Sequence, residues 1–220
     1  MSPLRLVANS VLHYRRTHAA TGLGVALATA VLVGALAVGD SVRASLRAHA
    51  RARLGGVVAV VEAGGRPFRA ALAEDLAASL GTRLARPIAP VLRLGGSASL
   101  PEGGAQCPRV QVLGIDPRFA EFSPAFAALA RAGPDGVLLN ARLATMLGVG
   151  VGATVVLRVE KPGLIPGDTP LGGERDLSAA LRLTVAGIVA REQLGEFNLR
   201  NEPVPPATAF IHIDRVQERA

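Results

Sequence analysis

The stretch from Ala19 to Gly39 has no charged side chain over about 21 residues. A helix needs about 20 apolar residues to cross the hydrocarbon core of a bilayer, and a backbone in lipid must satisfy its own hydrogen bonds. The stretch therefore predicts a membrane-spanning helix. A secretory signal peptide is the alternative, because Ala35-Leu36-Ala37 resembles a small-residue cleavage site. The apolar run is, however, longer than the roughly 7–15 residues of such signals.

Small residues recur at every fourth position of this span. Such a strip lies on one helix face and lets another membrane helix approach closely. The bulkier Leu23, Leu27 and Val31 form a neighbouring ridge. The pattern predicts a helix-packing face, the alternative being that the whole chain is rich in Gly and Ala. The strip consists of Gly22, Ala26, Ala30 and Gly34.

The segments flanking the span also have helical spacing. Residues 1–18 are expected to form an amphipathic leader helix that lies along the lipid headgroups. Residues 19–39 are the span, and residues 40–56 are expected to continue it as a helical stalk that ends at Gly55-Gly56. The apolar positions of the stalk are Val42, Leu46, Ala50 and Leu54.

The composition indicates which partners the chain can bind, but it does not determine the orientation of the span in the membrane. The net charge of +7 comes with no zinc, helix-turn-helix or stacking-aromatic pattern, so we expect no nucleic acid and assign the charge to contact with membrane lipids. Cys107 is the one cysteine, which excludes an internal disulfide. Arginines lie on both sides of the span, so their distribution does not determine which end is cytoplasmic.

Residues 57–220 are expected to form one domain of mixed α and β structure, which makes the fold class α+β. Strands are predicted at Val57–Val61, Leu84–Leu94, Val110–Ile115, Gly136–Leu139, Thr154–Val159, Leu181–Val189 and Ala207–Ile213. Helices are predicted around Leu72–Leu80, at Pro117–Phe122, from Asn140 to Leu147 and from Asp214. The segment 95–108 is expected to be rich in turns.

The long loop Lys161–Leu177 is the candidate for contact with cargo or a partner, because loops of this length are usually functional or disordered. A solvated loop without a partner is the alternative. The apolar and acidic residues proposed for that contact are Leu164, Ile165, Asp168 and Leu171.

Motifs for chemistry are sparse. The sequence has neither a phosphate-binding G-x-x-x-x-G-K-[ST] motif nor a G-x-S-x-G nucleophile motif, so we expect no ATPase and no hydrolase, no catalytic or metal residues, and no cofactor. His212 and Asp214 would share a strand face, but two ligands make a weak metal site. Asp116 is expected to cap a short helix. Glu192 and Glu196 are a possible carboxylate pair without a supporting feature.

The order of these elements resembles a known family of membrane proteins. The motifs that carry the resemblance are Asn9-Ser10-Val11-Leu12 before Arg15-Arg16, Gly39-Asp40-Ser41-Val42-Arg43, Gly114-Ile115-Asp116-Pro117, Leu138-Leu139-Asn140 with Leu143-Ala144, Leu147-Gly148-Val149-Gly150-Val151-Gly152, Val185-Ala186-Gly187-Ile188 and Ala209-Phe210-Ile211. Together they resemble the N-terminal part of the MacB/FtsX-like permeases of ABC transporters, which include the lipoprotein-releasing permeases.

The resemblance implies a function and a topology. It implies a cytoplasmic N-terminus in a bacterial inner membrane, a MacB-like periplasmic core domain, and a cytoplasmic ABC ATPase subunit that acts through the other permease helices in a dimeric assembly. Efflux or lipoprotein release would be the activity. Three further spans normally follow, so this sequence is expected to be a fragment, a split permease or a truncated product. A signal-anchored binding or scaffold module without transport activity is the alternative.

Overall fold

The computed structural model describes residues 3–62, 68–69, 71–83, 87–160, 178–200, 202 and 204–218. The chain divides into two compact units, Met1–Ala50 and Arg51–Ala220. The described residues of the first unit are helical except for a turn at Tyr14, and the second unit combines a β-barrel with short helices. This α+β content agrees with the fold class that the sequence predicts.

The N-terminal unit consists of α1 (Pro3–His13) and most of α2 (Arg15–Leu54). The 40 residues of α2 include the uncharged stretch and continue through the predicted stalk. No residue of α2 is buried. By length and composition, α2 is the one helix in the described part of the chain that could cross a membrane. Ser and Thr hydroxyls in such a helix can bond to the preceding turn, as Thr29 Oγ1 does by donating to Val25 O at 2.8 Å.

Six strands in the described part of the second unit close into a barrel in the order β1-β2-β6-β3-β5-β4. The β2–β6 and β3–β5 pairs are parallel, and the other pairs are antiparallel. Short helices connect several of them. The strands are β1 (Val91–Ser99), β2 (Gln106–Ile115), β3 (Gly136–Asn140), β4 (Thr154–Glu160), β5 (Ser178–Val189) and β6 (Thr208–His212), and the helices are α3 (Leu72–Leu80), α4 (Ala127–Ala132), α5 (Ala141–Leu147) and α6 (Ile213–Gln217).

Side-chain alternation along the strands produces two hydrophobic clusters. On β3, Val137 and Leu139 belong to a cluster rich in Val, Leu and Ala, while Leu138 belongs to a second cluster that contains most of the phenylalanines. Because successive strand residues point to opposite faces, the two clusters lie on opposite faces of the sheet. Every residue of β3 is buried, since this strand is covered on both faces.

Asn140 shows how one residue determines local structure here. Its Oδ1 accepts hydrogen bonds from the backbone N–H groups of Leu143 and Thr208, at 2.9 and 3.1 Å. Its Nδ2 donates to Pro206 O at 2.9 Å. The predicted N-cap of α5 is therefore confirmed, and the same side chain also fixes the start of β6. Asp116 is confirmed as a cap as well, because its Oδ1 accepts from Arg118 N at 3.0 Å.

Several predicted elements are wrong or misplaced. Residues 57–62 form no strand, although their composition is typical of one, because β propensity requires a neighbouring strand and the closed barrel offers no free edge at this segment. The segment 95–108 is not all turn, since β1 continues through Ser99 and β2 begins at Gln106. Pairing of β1 with both β2 and β4 outweighs the low strand propensity of Gly95 and Gly96.

Candidate functional site

The last turn of α2 is the candidate functional site, because it packs into the folded core of the second unit. The last turn, Arg51–Leu54, belongs to the same compact unit as the barrel. Gly55 adopts a left-handed φ of +53° and ends the helix. Its N–H donates to Arg51 O at 2.8 Å, and the Val57 N–H donates to Leu54 O at 3.0 Å.

Leu54 and Val57 pack against the second hydrophobic cluster, which we call the phenylalanine cluster. Its buried members come from β2, β3, β5 and β6, on the sheet face opposite the first cluster, and from the segments that follow β2 and β5. They are Leu113, Ile115, Phe119, Phe126, Leu129, Leu138, Val189, Leu194, Phe197 and Phe210. The helix end thus contributes two partly buried apolar side chains to the core of the domain.

Aromatic rings pack edge to face through this cluster. Phe119 lies at the centre, with edge-on contacts to Phe126 and Phe197 at ring-centroid distances of 4.9 and 5.7 Å. Phe126 contacts Phe210 of β6 at 4.9 Å. Edge-to-face ring pairs contribute about 0.5–1.5 kcal/mol beyond the area they bury. A continuous aromatic path therefore runs from residue 197 to the barrel strand β6.

The segment Ala190–Phe197, which we call the Leu194 loop, follows directly after β5 and covers the helix end. The N–H groups of Gln193 and Gly195 both donate to Ala190 O, at 3.1 and 2.9 Å. A side chain at residue 195 would place its Cβ 2.3 Å from Val189 O, so only glycine fits. Leu194 is 3% exposed and points into the phenylalanine cluster.

Arg53 makes a polar contact between the helix end and the segment that follows the Leu194 loop. Its Nη1 donates to Glu202 O at 2.7 Å. The guanidinium is part-buried, and a hydrogen bond from a charged donor is stronger than a neutral one. Both apolar packing and this bond therefore attach the last turn of α2 to the domain.

The side chains that the sequence analysis considered for chemistry make local contacts in the structure. Glu196, which the sequence paired with Glu192, instead forms an ion pair with Arg191 at 3.2 Å. His212 contacts Leu129 O through Nε2 at 3.0 Å, and β6 ends at this residue, so Asp214 lies on α6 and not on the same strand face. No group of three or more potential metal ligands occurs among the described residues.

The site residues predicted from the sequence differ in their exposure, and some of them lie outside the described residues. Gly22, Ala26, Ala30 and Gly34 are exposed on α2. Of the stalk positions, Val42, Leu46 and Ala50 are exposed and Leu54 is partly buried at the junction. The proposed partner-loop residues Leu164, Ile165, Asp168 and Leu171 lie outside the described residues. The roles of all three sets stay predictions.

Sequence reasoning missed the phenylalanine cluster and the Leu194 loop. A signal for the cluster exists, because three of the six phenylalanines of the chain occur at positions 119, 122 and 126. In a chain with only 3% aromatic residues, that concentration indicates a local aromatic core. The loop has no comparable signal, since its packing depends on contacts between residues distant in sequence.

An apolar helix that could cross a membrane and that ends in the core of an α+β domain defines a helix-anchored domain of a membrane protein. The chain matches the family model described as the MacB-like periplasmic core domain over residues 19–220 and belongs to that family. The resemblance to MacB/FtsX-like ABC transporter permeases is thereby confirmed, and the chain is a component of such a permease.

Solved structures and curated sequences give less detailed information. The periplasmic region of MacB from Actinobacillus actinomycetemcomitans is similar with 11% sequence identity and a TM-score of 0.37. The similarity covers 67% of this chain and 56% of that one, so the chain spans just over half of its length. No curated protein sequence matches the chain.

Proposed function

We propose that this chain is the anchor, stalk and extracytoplasmic domain of an ABC permease subunit, and that it couples ATP hydrolysis by a partner to movement of a substrate. The substrate would be exported across the membrane or extracted from it, as in efflux or lipoprotein release. The chain itself supplies no catalytic group and works by transmitting motion along α2.

The observation that supports this proposal is the packing of Leu54 and Val57 into the phenylalanine cluster. A helix that only anchors a domain can end in a flexible linker. Here the helix end is instead built into the core, with Arg53 bonded to Glu202 O. Close-packed interiors transmit displacement because they have few voids to absorb it.

The proposed topology follows the family. Residues 1–18 would be a cytoplasmic leader, residues 19–39 the span, residues 40–56 the stalk and residues 57–220 the extracytoplasmic domain, in a bacterial inner membrane. The partners would be a cytoplasmic ABC ATPase, other permease helices in a dimeric assembly, and membrane lipids. The loop Lys161–Leu177 would contact cargo or a further partner.

A signal-anchored binding or scaffold module without transport activity is the second candidate. In such a module the domain would work wherever it is tethered, so continuity between the helix and the core would be unimportant. The two candidates therefore differ in one measurable property, the sensitivity of function to the junction.

The experiment inserts six flexible Gly/Ser residues between Leu54 and Gly55 in the complete permease with its ATPase, reconstituted in lipid vesicles. The matched control is the same insertion in the exposed β1–β2 turn, between Glu102 and Gly103. We expect the junction insertion to reduce ATP-dependent substrate movement at least tenfold while ATP hydrolysis continues, because motion would no longer reach the domain.

The control insertion should leave substrate movement intact, and the chain without its partner should not hydrolyse ATP. Equal transport by the two insertion variants would favour the scaffold module. ATP turnover by the isolated chain, lost on substitution of one of its own residues, would contradict the assignment of hydrolysis to a partner.

A further inference from the structure

Leu194 has an unusual backbone conformation for its residue type. Its φ of 70° and ψ of 18° lie in the left-handed region, and it is the one non-glycine residue with positive φ in the described part of the chain. A Cβ atom in this region approaches the following carbonyl oxygen, so residues other than Gly, Asn and Asp rarely adopt it. Contacts elsewhere must therefore hold leucine in this conformation.

The Leu194 side chain lies directly against Gly55 at the end of α2. A Cβ placed on Gly55 would lie 2.5 Å from Cδ2 of Leu194 and 3.2 Å from its Cγ. The leucine side chain thus fills the space that the absent side chain of residue 55 leaves at the end of α2. With 3% of its surface exposed, Leu194 is enclosed by the helix end and the phenylalanine cluster.

The backbone around Leu194 connects this contact to the barrel. Leu194 O accepts a hydrogen bond from Phe197 N at 3.0 Å, and Phe197 packs on Phe119. On the other side, the loop follows β5, which pairs with both β3 and β4. A change in the conformation of residue 194 would therefore displace both Phe197 in the aromatic path and the end of β5.

We propose that Leu194 is a conformational latch that senses the position of the end of α2, a proposal that rests on the proposed function of α2 as the moving element. While Gly55 lies against it, Leu194 stays left-handed and the Leu194 loop is closed. When the helix end withdraws, Leu194 loses this contact, residue 194 relaxes, and the loop opens at the end of β5.

The alternative to a latch is a turn that only connects β5 with the next segment, and the two differ in their response to changes at residue 55. Its conformation would depend on its own hydrogen bonds to Ala190 O and would not respond to residue 55. A latch must respond in both directions, because coupling between two sites is reciprocal in free energy. Loosening the loop must then also loosen the helix end.

The test uses hydrogen exchange of backbone amides in the full chain in detergent micelles. Gly55→Val displaces Leu194, whereas Gly81→Val is the matched control. Gly81 also has a positive φ, +48°, after a helix, but a Cβ there would meet nothing within 4 Å. We expect Gly55→Val to speed exchange of the Gly195 and Phe197 amides at least tenfold and Gly81→Val to leave them unchanged.

The reciprocal arm uses Leu194→Gly, which keeps the left-handed backbone accessible and removes the side chain. We expect faster exchange at the amides of Gly55 and Val57, with the β3 and β4 amides still protected. If Gly55→Val opens the whole barrel, the smaller Gly55→Ala is measured in its place and must show the local response.

Unchanged exchange at Gly195 and Phe197 in the residue 55 variants, or an equal response to Gly81→Val, would overturn the latch. Because this measurement needs neither ATP nor a partner, its failure would leave the proposed permease function standing. Conversely, equal transport by the two insertion variants would count against the proposed permease function and would leave the local response of the loop intact.

Discussion

Nη1 of Arg53 donates a hydrogen bond of 2.7 Å to the backbone carbonyl of Glu202, which lies 149 residues further along the chain. The bond connects the last turn of α2 to the segment between the Leu194 loop and β6. Since its acceptor belongs to the main chain, substitution of the Glu202 side chain does not remove it. The arginine alone controls this contact, which makes it the simplest point at which to weaken the junction.

Arg53→Ala should lower the free energy of unfolding of the domain by about 1.5–3 kcal/mol, the range for hydrogen bonds to charged groups. Arg51→Ala, in the same helical turn but exposed, is the control and should change stability by less than about 0.5 kcal/mol. Denaturant unfolding of the full chain in detergent is the measurement. Equal stability of the two variants would mean that the contact with Glu202 does not stabilise the junction.

A second prediction concerns Asn140, which is buried and makes three hydrogen bonds. Asn140→Ala should cost on the order of 2–4 kcal/mol, because it removes a helix cap and leaves the buried Thr208 N–H at the start of β6 without its acceptor. Asn140→Ser is the conservative comparison, because its hydroxyl oxygen can still accept a hydrogen bond from the Leu143 N–H as a helix cap.

The loss of stability in Asn140→Ser should therefore be smaller than in Asn140→Ala. The shift in the denaturation midpoint, at an unchanged slope, measures both. If the Asn140→Ala variant had the same free energy of unfolding as the native protein, the bonds from Asn140 to the start of β6 would contribute no net stability.

Local signals in the sequence account for the parts of the fold that were predicted correctly. Asn140 before an apolar helix and Asp116 before Pro117 are capping patterns that depend on a few neighbouring residues. The uncharged run from Ala19 to Gly39 likewise predicts a helix without knowledge of the rest of the chain. These features are specified by residues close in sequence, so reading the chain in order finds them.

Long-range features could not be predicted in the same way. The valines at 57–61 have the composition of a strand, yet Val58 is 92% exposed because no strand pairs with the segment. Leu194 gives no local indication of a left-handed conformation, which depends on contact with Gly55. The candidate site was therefore found only from packing between distant segments, whereas the helix that leads to it was predicted.

The aromatic path predicts a large effect for Phe126, which lies between Phe119 and Phe210. Phe126→Ala should lower the free energy of unfolding by about 3–5 kcal/mol, the usual cost of truncating a buried phenylalanine. Phe68→Ala is the matched control, because Phe68 is 47% exposed, and it should have little effect. Thermal unfolding followed by circular dichroism is the measurement, and similar losses in both variants would contradict a stabilising aromatic core.

Topology is testable without knowledge of the substrate. The membrane-spanning length of α2 and the topology proposed from the family lead us to expect a cytoplasmic N-terminus and an extracytoplasmic C-terminal domain. A reporter enzyme that is active only in the periplasm should be active when fused after Ala220 and silent when fused at Val11. A cytoplasm-specific reporter at the same two points is the control and should give the opposite pattern. Activity reversed between the two fusion points would contradict the proposed orientation.

The last prediction concerns the small-residue strip of α2. A Cβ at Gly22 or Gly34 would meet nothing within 4 Å, so a larger side chain fits the helix itself and can clash only with a partner. Gly34→Leu should therefore weaken assembly with other membrane helices and leave insertion intact, because leucine favours insertion. Packing contributions in membranes are modest, about 1–2 kcal/mol for polar contacts in model peptides, so we expect a several-fold loss of co-purification with the remaining permease helices.

Leu27→Ala is the control for this substitution, because Leu27 lies on the neighbouring ridge and is 69% exposed. It should reduce co-purification less than Gly34→Leu does. If Gly34→Leu left association unchanged while Leu27→Ala weakened it, the ridge and not the strip would form the contact. Gly22, Ala26, Ala30 and Gly34 would then reflect only the Gly- and Ala-rich composition of the chain, and α2 would pack through its bulky face.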